Sequence, residues 1–194
     1  ALGMGKLPRA ARTGKAAEMT VAELPKGSAP EPLGFAHFPD RLHAYIWRNW
    51  SLVPVPRLAR VIGARAAEVR RLGRAMGLGN PPRITRSQQA RSYITVIKRN
   101  WHLLPYEQLL ELLDWSPEQL AETLREDDFL FIKLGNLKPQ CAPLRYRPSD
   151  AAMLEREREL AQIVRETFGE DAGRTPDPLF GFVRQLAQPP PRRT

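Results

Sequence analysis

The chain has 194 residues and a net charge of +9, from 30 Lys and Arg against 21 Asp and Glu. Its length allows one compact domain or two small ones, its charge favours an anionic partner such as nucleic acid, and its single cysteine excludes an internal disulfide. No apolar run reaches the roughly 18 residues that a membrane-spanning helix needs. The first residues lack the apolar stretch of a signal peptide, so we expect a cytoplasmic location.

Residues 1–34 mix Ala, Gly, Pro and charged residues without helical or strand periodicity. Pro25, Pro30 and Pro32 would break any helix there. A segment of this composition buries too little apolar surface to order its backbone. We therefore predict a disordered arm over residues 1–34.

A segment in the middle of the chain occurs twice. The nine residues Ile46–Pro54 reappear 51 positions later as Ile97–Pro105, with six of the nine identical. Self-similarity at a fixed offset indicates one supersecondary unit used twice. The sequence therefore predicts a mainly α fold with two tandem, helix-turn-helix-like units of three helices each, over 35–78 and 79–134.

Each copy carries a tryptophan at the same position, Trp50 in the first and Trp101 in the second. Large aromatic side chains dominate the cores of small helical units, so we interpret both as core anchors. The alternative is a platform on which bases or sugars stack. The preceding pairs Arg48-Asn49 and Arg99-Asn100 are interpreted as local capping and hydrogen-bonding groups.

The first unit contains a short helix pair joined at Gly63, with the second helix predicted from about residue 66 to 76. The spacing of Ala59, Gly63, Val69 and Leu72 resembles the helix-turn-helix of bacterial DNA-binding proteins. There a small residue lets the helices approach, and glycine adopts the left-handed conformation of the turn. The later apolar pair fixes the second helix against the first.

Four arginines on or beside this second helix are the candidate nucleic-acid-binding residues: Arg65, Arg70, Arg71 and Arg74. Between residues 41 and 75, eight Arg or Lys stand against one acid, Glu68. Guanidinium groups in this arrangement are suited to DNA phosphates or to guanine edges in a major groove. The alternative is a basic helix face that is only solvated.

The second unit repeats the helical pattern with the opposite charge. Thr85 with Gln88, and Ser116 with Pro117 and Gln119, are typical of helix starts. Arg125 is the one cation among eight acids that would repel a phosphate backbone, namely Glu107, Glu111, Asp114, Glu118, Glu122, Glu126, Asp127 and Asp128. DNA binding by this unit is therefore not expected. The basic and acidic units could instead face each other, within or between chains.

Beyond the two units, residues 135–148 are predicted to form a connector and 149–194 a C-terminal region. Ser149 or Asp150 would cap an amphipathic helix that runs to Phe168 and stops at Gly169. The apolar residues of this helix are expected to be buried, namely Met153, Leu160, Ile163, Val164 and Phe168. Its charged residues are expected to face water, namely Glu155, Arg156, Glu157 and Arg158. Leu179–Leu186 is a possible short helix before a proline-rich tail, and Phe129–Leu134 is the one strand candidate.

The sequence shows no pattern typical of a catalytic or metal site. His37, His43 and His102 lack metal-ligand spacing, and Cys141 stands apart from them. No glycine-rich phosphate loop is present, and the carboxylates follow helix surfaces. We therefore predict no catalytic residue, no metal and no cofactor for this segment.

The run from Tyr93 to Gly135, together with Tyr45–Trp50, carries a wider resemblance. It resembles the N-terminal region of large, poorly characterised bacterial proteins whose downstream part is similar to a glycoside-hydrolase barrel. The resemblance covers roughly residues 35–185 and implies a non-catalytic leader whose barrel is missing. The sequence thus leaves two functions open. One is binding of double-stranded DNA, and the other is an accessory role that contacts the protein's own downstream domain or another protein.

Overall fold

The chain folds into α-helices. The computed structural model describes residues 19–24, 31–127, 129–135 and 138–169, together with Val183, Leu186 and Ala187. These residues contain eight α-helices and no β-strand, which confirms the prediction of a mainly α fold. The helices are α1 Arg41–Asn49, α2 Val55–Val61, α3 Ala66–Ala75, α4 Arg86–Asn100, α5 Tyr106–Leu113, α6 Pro117–Glu126, α7 Leu130–Lys133 and α8 Ala151–Phe168.

Three helices begin at the caps that the sequence predicts. The side chains of Thr85, Ser116 and Asp150 each accept a hydrogen bond from the backbone N–H three residues later, at 3.2, 3.3 and 2.9 Å. Each bond satisfies a backbone donor that has no partner within the helix. α8 stops where expected, before Gly169, whose φ is +55°.

The two copies of the repeat adopt the same turn between their first and second helices. The carbonyl of Asn49 accepts from the backbone N–H groups of Leu52 and Val53, at 3.0 and 3.1 Å. The carbonyl of Asn100 accepts in the same way from the two equivalent N–H groups, both at 3.0 Å. A proline then precedes the second helix in each copy. Each unit therefore has three helices, α1–α3 and α4–α6.

Equivalent helices of the two units pack against each other, α1 on α4 and α2 on α5. The side-chain amide nitrogen of Asn49 donates to the amide oxygen of Asn100, and Asn100 donates back to Asn49, both at 2.8 Å. Arg48 donates to the carbonyl of Arg99 at 2.9 Å, and Arg99 to the carbonyl of Arg48 at 2.6 Å. These reciprocal contacts give the pair of units an internal pseudo-two-fold relationship. The Arg-Asn pairs therefore join the units, beyond the local capping role expected for them.

Both units contribute to one buried apolar cluster that continues to Leu160 of α8. Trp50 and Trp101 are buried in it, which confirms that they are core residues. Their surroundings nevertheless differ. The Trp50 indole donates to the carbonyl of Gly79 at 3.1 Å, whereas the Trp101 ring meets Tyr106 edge-on, with the ring centroids 5.9 Å apart.

The connector between the units and α8 is held by one glutamine of α5. The Gln108 amide nitrogen donates to the carbonyls of Leu144 and Val61, at 2.7 and 2.8 Å, and its oxygen accepts from the backbone N–H of Leu144 at 2.8 Å. The N–H of Tyr146 donates to the carbonyl of Ile62 at 2.8 Å. The extended backbone of the connector therefore obtains its hydrogen bonds from both units.

The strand predicted over Phe129–Leu134 is wrong, because this segment contains the short helix α7. The N–H groups of Lys133 and Leu134 donate to the carbonyls of Phe129 and Leu130, both at 3.0 Å. A strand needs a neighbouring strand to satisfy its backbone, and the described residues offer none. Helical bonds within the segment satisfy these groups instead.

A short part of the arm predicted over 1–34 is ordered in the structure. Residues Val21–Glu23 form a 3-10 helix, and Leu24 is buried in the core. Met19 and Val21 pack against the same cluster, and this apolar contact orders the segment. Residues 1–18 and 25–30 lie outside the described part of the chain. So do the proline-rich tail and, apart from Val183 and Leu186, the possible helix Leu179–Leu186.

The buried face of α8 differs from the predicted one. Leu160 and Val164 are buried as expected, but Ile163 and Phe168 are 50% and 57% exposed, and the buried charged residue is Glu157. The face towards the core is set by close packing at Ala161, since a Cβ added at Gly77 would lie 2.9 Å from the Ala161 Cα. This orientation turns Glu157 inward and Ile163 outward.

Candidate nucleic-acid interface

The third helix of the first unit, α3, carries the predicted binding residues and is fixed firmly on its inner side. Val69, Leu72 and Met76 are fully buried, and α3 packs on α1, α2 and α8. Gly63 between α2 and α3 has a φ of +67°, the left-handed conformation that the sequence predicts there. The outer side of α3 is thereby presented on a rigid support.

Gly73 brings α3 directly onto the Trp50 ring. A Cβ added at Gly73 would overlap the six-membered ring and would lie 2.9 Å from its Cζ2 atom. Only a residue without a side chain allows this contact, because aromatic rings and helix backbones are stiff. Sequence reasoning missed this role, since a glycine inside a helix is equally compatible with a solvent-facing position.

Arg70 and Arg74 lie one turn apart on the exposed side of α3. Within the described residues, neither side chain forms a hydrogen bond or an ion pair with the rest of the chain. Their guanidinium groups retain all their donors for an external acceptor such as a phosphate. These two residues match the predicted role best.

Arg65 precedes α3 and is paired with Glu68. Its guanidinium donates to the Glu68 carboxylate at 2.8 Å, and its backbone N–H donates to the same carboxylate at 2.7 Å. The hydrogen bond from Arg65 lowers the pKa of Glu68. The Arg65 side chain remains 84% exposed, so a ligand could reach it, but only in competition with Glu68.

Arg71 points towards α8 instead of lying beside Arg70 and Arg74. Its guanidinium is 4.0 Å from the carboxylate of Glu157. Glu157 is buried and also accepts hydrogen bonds from His43 at 2.9 Å and from Ser149 at 2.5 Å. Arg71 is therefore placed at the edge of a structural network between α1, α3 and α8.

His43 at the centre of this network is held between two carboxylates. Its ring nitrogens lie 2.6 Å from Asp40 and 2.9 Å from Glu157. Two carboxylates in these positions favour the charged imidazolium, in which both ring nitrogens donate. Burial alone would lower the pKa of His43, but the hydrogen bonds and charges of Asp40 and Glu157 raise it. Burial likewise opposes ionisation of Asp40, yet the bonds from His43 lower its pKa to about 2. His43 and Glu157 are buried and the Asp40 side chain is only 16% exposed, so this network is closed to substrate.

Part of the charge difference between the units is neutralised where α2 meets α5. Arg57 is 3.2 Å from Asp114, and Arg60 is 3.2 Å from Glu111 and 3.9 Å from Asp114. The basic and acidic units therefore face each other here within one chain, which is one of the two arrangements that the sequence left open. This contact does not involve Arg70 or Arg74.

The described residues contain no group of three or more His, Cys, Asp or Glu side chains arranged to hold a metal ion. None of the helices described is both long and apolar enough to cross a bilayer. Comparison with known protein families, characterised proteins and solved structures found no match. The function is therefore inferred from the residues of this chain alone.

Proposed function

We propose that this chain binds double-stranded DNA through the exposed side of α3, with Arg70 and Arg74 as the principal contacts. The observation that carries the proposal is the pairing of a rigidly supported helix with two arginines that have no partner in the described chain. Arg65, which precedes α3 and is largely exposed, would add a contact to a neighbouring phosphate, whereas Arg71 is turned towards Glu157 of α8. Such an arrangement is expected when a helix enters a DNA groove and nearby cations contact the phosphate backbone of the DNA.

The distribution of acids is compatible with this proposal. Glu111 and Asp114, which lie against the first unit, are engaged by Arg60 and Arg57. The helix with the most extensive contacts to the acidic α6 is α7, whereas α3 contacts α1, α2 and α8. The acids of α6, which would repel DNA phosphates, therefore lie on a different helix from α3, which would approach the DNA.

The repeat supplies a matched control for the test. Arg74 and Arg125 occupy equivalent positions of α3 and α6, 51 residues apart, and both are exposed. Arg74→Ala and Arg125→Ala therefore remove the same charge from the chain at equivalent sites of the two units. A contact at α3 requires that only the first substitution weakens binding.

The experiment measures the binding of a fluorescent duplex by anisotropy across a range of salt concentrations. Arg70→Ala combined with Arg74→Ala should weaken binding and reduce the magnitude of the salt slope by about one for each phosphate that no longer has an arginine partner. Arg125→Ala should leave both quantities unchanged. Equally weakened binding in Arg74→Ala and Arg125→Ala, or no binding of the parent chain at low salt, would reject the proposal.

A second candidate function is an accessory domain that contacts a downstream glycoside-hydrolase-like barrel or another protein. The observation that favours it is on and beside α7, where Phe129 and Ile132 are 71% and 60% exposed. Adjacent apolar side chains at a surface are typical of protein contacts. The test compares hydrogen exchange of α7 in this chain and in the protein extended along its reading frame. Added protection of α7 supports a contact with the downstream barrel, and unchanged exchange or the lack of a downstream barrel contradicts that contact.

A further inference from the structure

The connector places a lysine and the cysteine of the chain together in a buried site beside unit two. The Lys138 amine nitrogen lies 3.5 Å from the Cys141 sulfur. Both residues are buried. The proposed DNA contact uses neither of them.

The lysine amine is held in a fixed orientation. It donates to the carbonyl of Leu104 at 2.6 Å and to the carbonyl of Pro139 at 3.2 Å, and its third direction points at the Cys141 sulfur. An ammonium has three donors, so these contacts use all of them. When the amine loses the proton that faces sulfur, the two carbonyls keep the nitrogen in place and its lone pair is directed at the sulfur.

The surroundings act on the charge of the lysine in two directions. Burial lowers the pKa of Lys138, which favours the neutral, nucleophilic amine. The rings of Trp101 and Tyr106, with centroids 5.4 and 5.6 Å from the amine nitrogen, stabilise the ammonium. The sulfur for its part faces a cation and donates towards the carbonyl of Trp101 at 3.8 Å, whereas thiols enclosed by apolar side chains are inert.

We propose that Lys138 and Cys141 form a peroxide-dependent covalent cross-link, a sulfenamide between the lysine nitrogen and the cysteine sulfur. In the first step the thiol is oxidised by hydrogen peroxide to a sulfenic acid, and the peroxide is reduced to water. In the second step the amine attacks the sulfur, an N–S bond forms, the S–O bond breaks and a second water leaves. Sulfur is oxidised by two electrons overall, and the protein loses two hydrogen atoms.

Proximity favours this product over further oxidation of the sulfur. Reacting atoms about 3–3.5 Å apart and correctly aligned gain a large rate advantage over reagents from solution. The amine at 3.5 Å meets this condition without movement of the backbone. A thiol reductant would attack the sulfur, break the N–S bond and restore both side chains, as for other reversible oxidised forms of cysteine.

The test treats the full chain with hydrogen peroxide and measures its intact mass, with fragmentation to locate the change. The expected product has lost two hydrogen atoms at residues 138–141, and a thiol reductant restores the original mass. Lys138→Arg keeps the positive charge but should give only oxygen additions at Cys141. Lys98→Arg, at an exposed lysine on α4, should behave like the parent chain.

Three results would overturn the cross-link. One is a parent chain in which Cys141 gains oxygen without losing hydrogen, and another is a loss of two hydrogens that persists in Lys138→Arg. The third is an unmodified Cys141 after peroxide has oxidised the partly exposed Met153. Circular dichroism of each variant distinguishes loss of the reaction from loss of the fold, and Lys138→Met provides a second replacement if the arginine does not fit.

Discussion

The side-chain amides of Asn49 and Asn100 donate to each other across the two units, while each also donates to a carbonyl of its own helix. Those carbonyls belong to Tyr45 and Val96, four residues earlier, both at 2.8 Å. The two asparagines are completely buried. Each NH₂ group therefore has both its donors satisfied, one within the helix and one across the unit boundary.

This pairing predicts strong coupling between the two asparagines. Asn49→Ala or Asn100→Ala alone should reduce the free energy of unfolding by about 1–3 kcal/mol, because the remaining amide loses a partner in a buried site. The double variant should cost less than the sum of the two, since no orphaned amide is left. Urea unfolding measures all four members of the cycle. Asn80→Ala, at an exposed position, should be nearly neutral, and simple additivity of the buried pair would contradict the prediction.

The charged His43 predicts a stability that falls at high pH. Its pKa is raised in the folded state above about 6.5 in the unfolded chain. Its contribution is therefore fully present below about pH 6.5 and is lost as the pH rises through the folded-state pKa. The free energy of unfolding should decline over this range more steeply in the parent chain than in His43→Gln.

His102 gives the control for this measurement because its shift has the opposite sign. Burial, together with the charges of Lys138 and Arg48, lowers the pKa of His102, so its contribution is present above the unfolded pKa and is lost as the pH falls. His102→Gln should leave the decline at high pH intact. An equal decline in His43→Gln and the parent chain would show that His43 does not carry a raised pKa.

The packing of α3 on Trp50 predicts that Gly73 tolerates no side chain. Gly73→Ala should destabilise the fold by roughly 1–3 kcal/mol through overpacking, although alanine favours a helix by up to about 1 kcal/mol over glycine. Thermal or urea unfolding would detect the change. Gly34→Ala is the matched control, since a Cβ at Gly34 meets nothing within 4 Å. A Gly73→Ala variant as stable as Gly34→Ala would refute the close packing.

The turn at Gly63 predicts a loss of stability with a different origin. A Cβ there also meets nothing within 4 Å, so the cost of Gly63→Ala comes from the left-handed backbone alone, on the order of 1 kcal/mol. Asparagine tolerates this conformation better, and Gly63→Asn should recover part of that stability. The unfolding free energies of the two variants, each relative to the parent chain, check this. Equal values would point to something other than backbone conformation.

Features set by short stretches of sequence were predictable, whereas features set by packing were not. The caps Thr85, Ser116 and Asp150 act on backbone three residues away, so their signals are local. Periodicity placed Leu160 and Val164 inside but could not determine the rotation of α8, because that depends on the approach of Gly77 to Ala161. The burial of Glu157 required His43, which is 114 residues away along the chain.

In the candidate site, too, local sequence predicted some features and missed those that depend on packing. Composition and helical spacing were sufficient to place Arg70 and Arg74 on the exposed side of α3. They could not show that Arg71 lies beside Glu157 or that Arg65 is paired with Glu68, since both depend on side-chain geometry. The repeat itself identified Trp50 and Trp101 as core residues, but their different neighbours follow from Gly73 and Tyr106, where the two copies diverge.

The reciprocal bonds between Arg48-Asn49 and Arg99-Asn100 also limit how many copies of the three-helix unit can pack together through this contact. An interface in which both units use the same surface is complete with two units. Head-to-tail stacking, by contrast, lets repeat proteins add further units. A third copy would find the joining faces of α1 and α4 already occupied. The interface therefore accommodates two units and no more. Since its bonds come from α1 and α4, helices α3 and α6 can differ in charge without weakening the contact between the units.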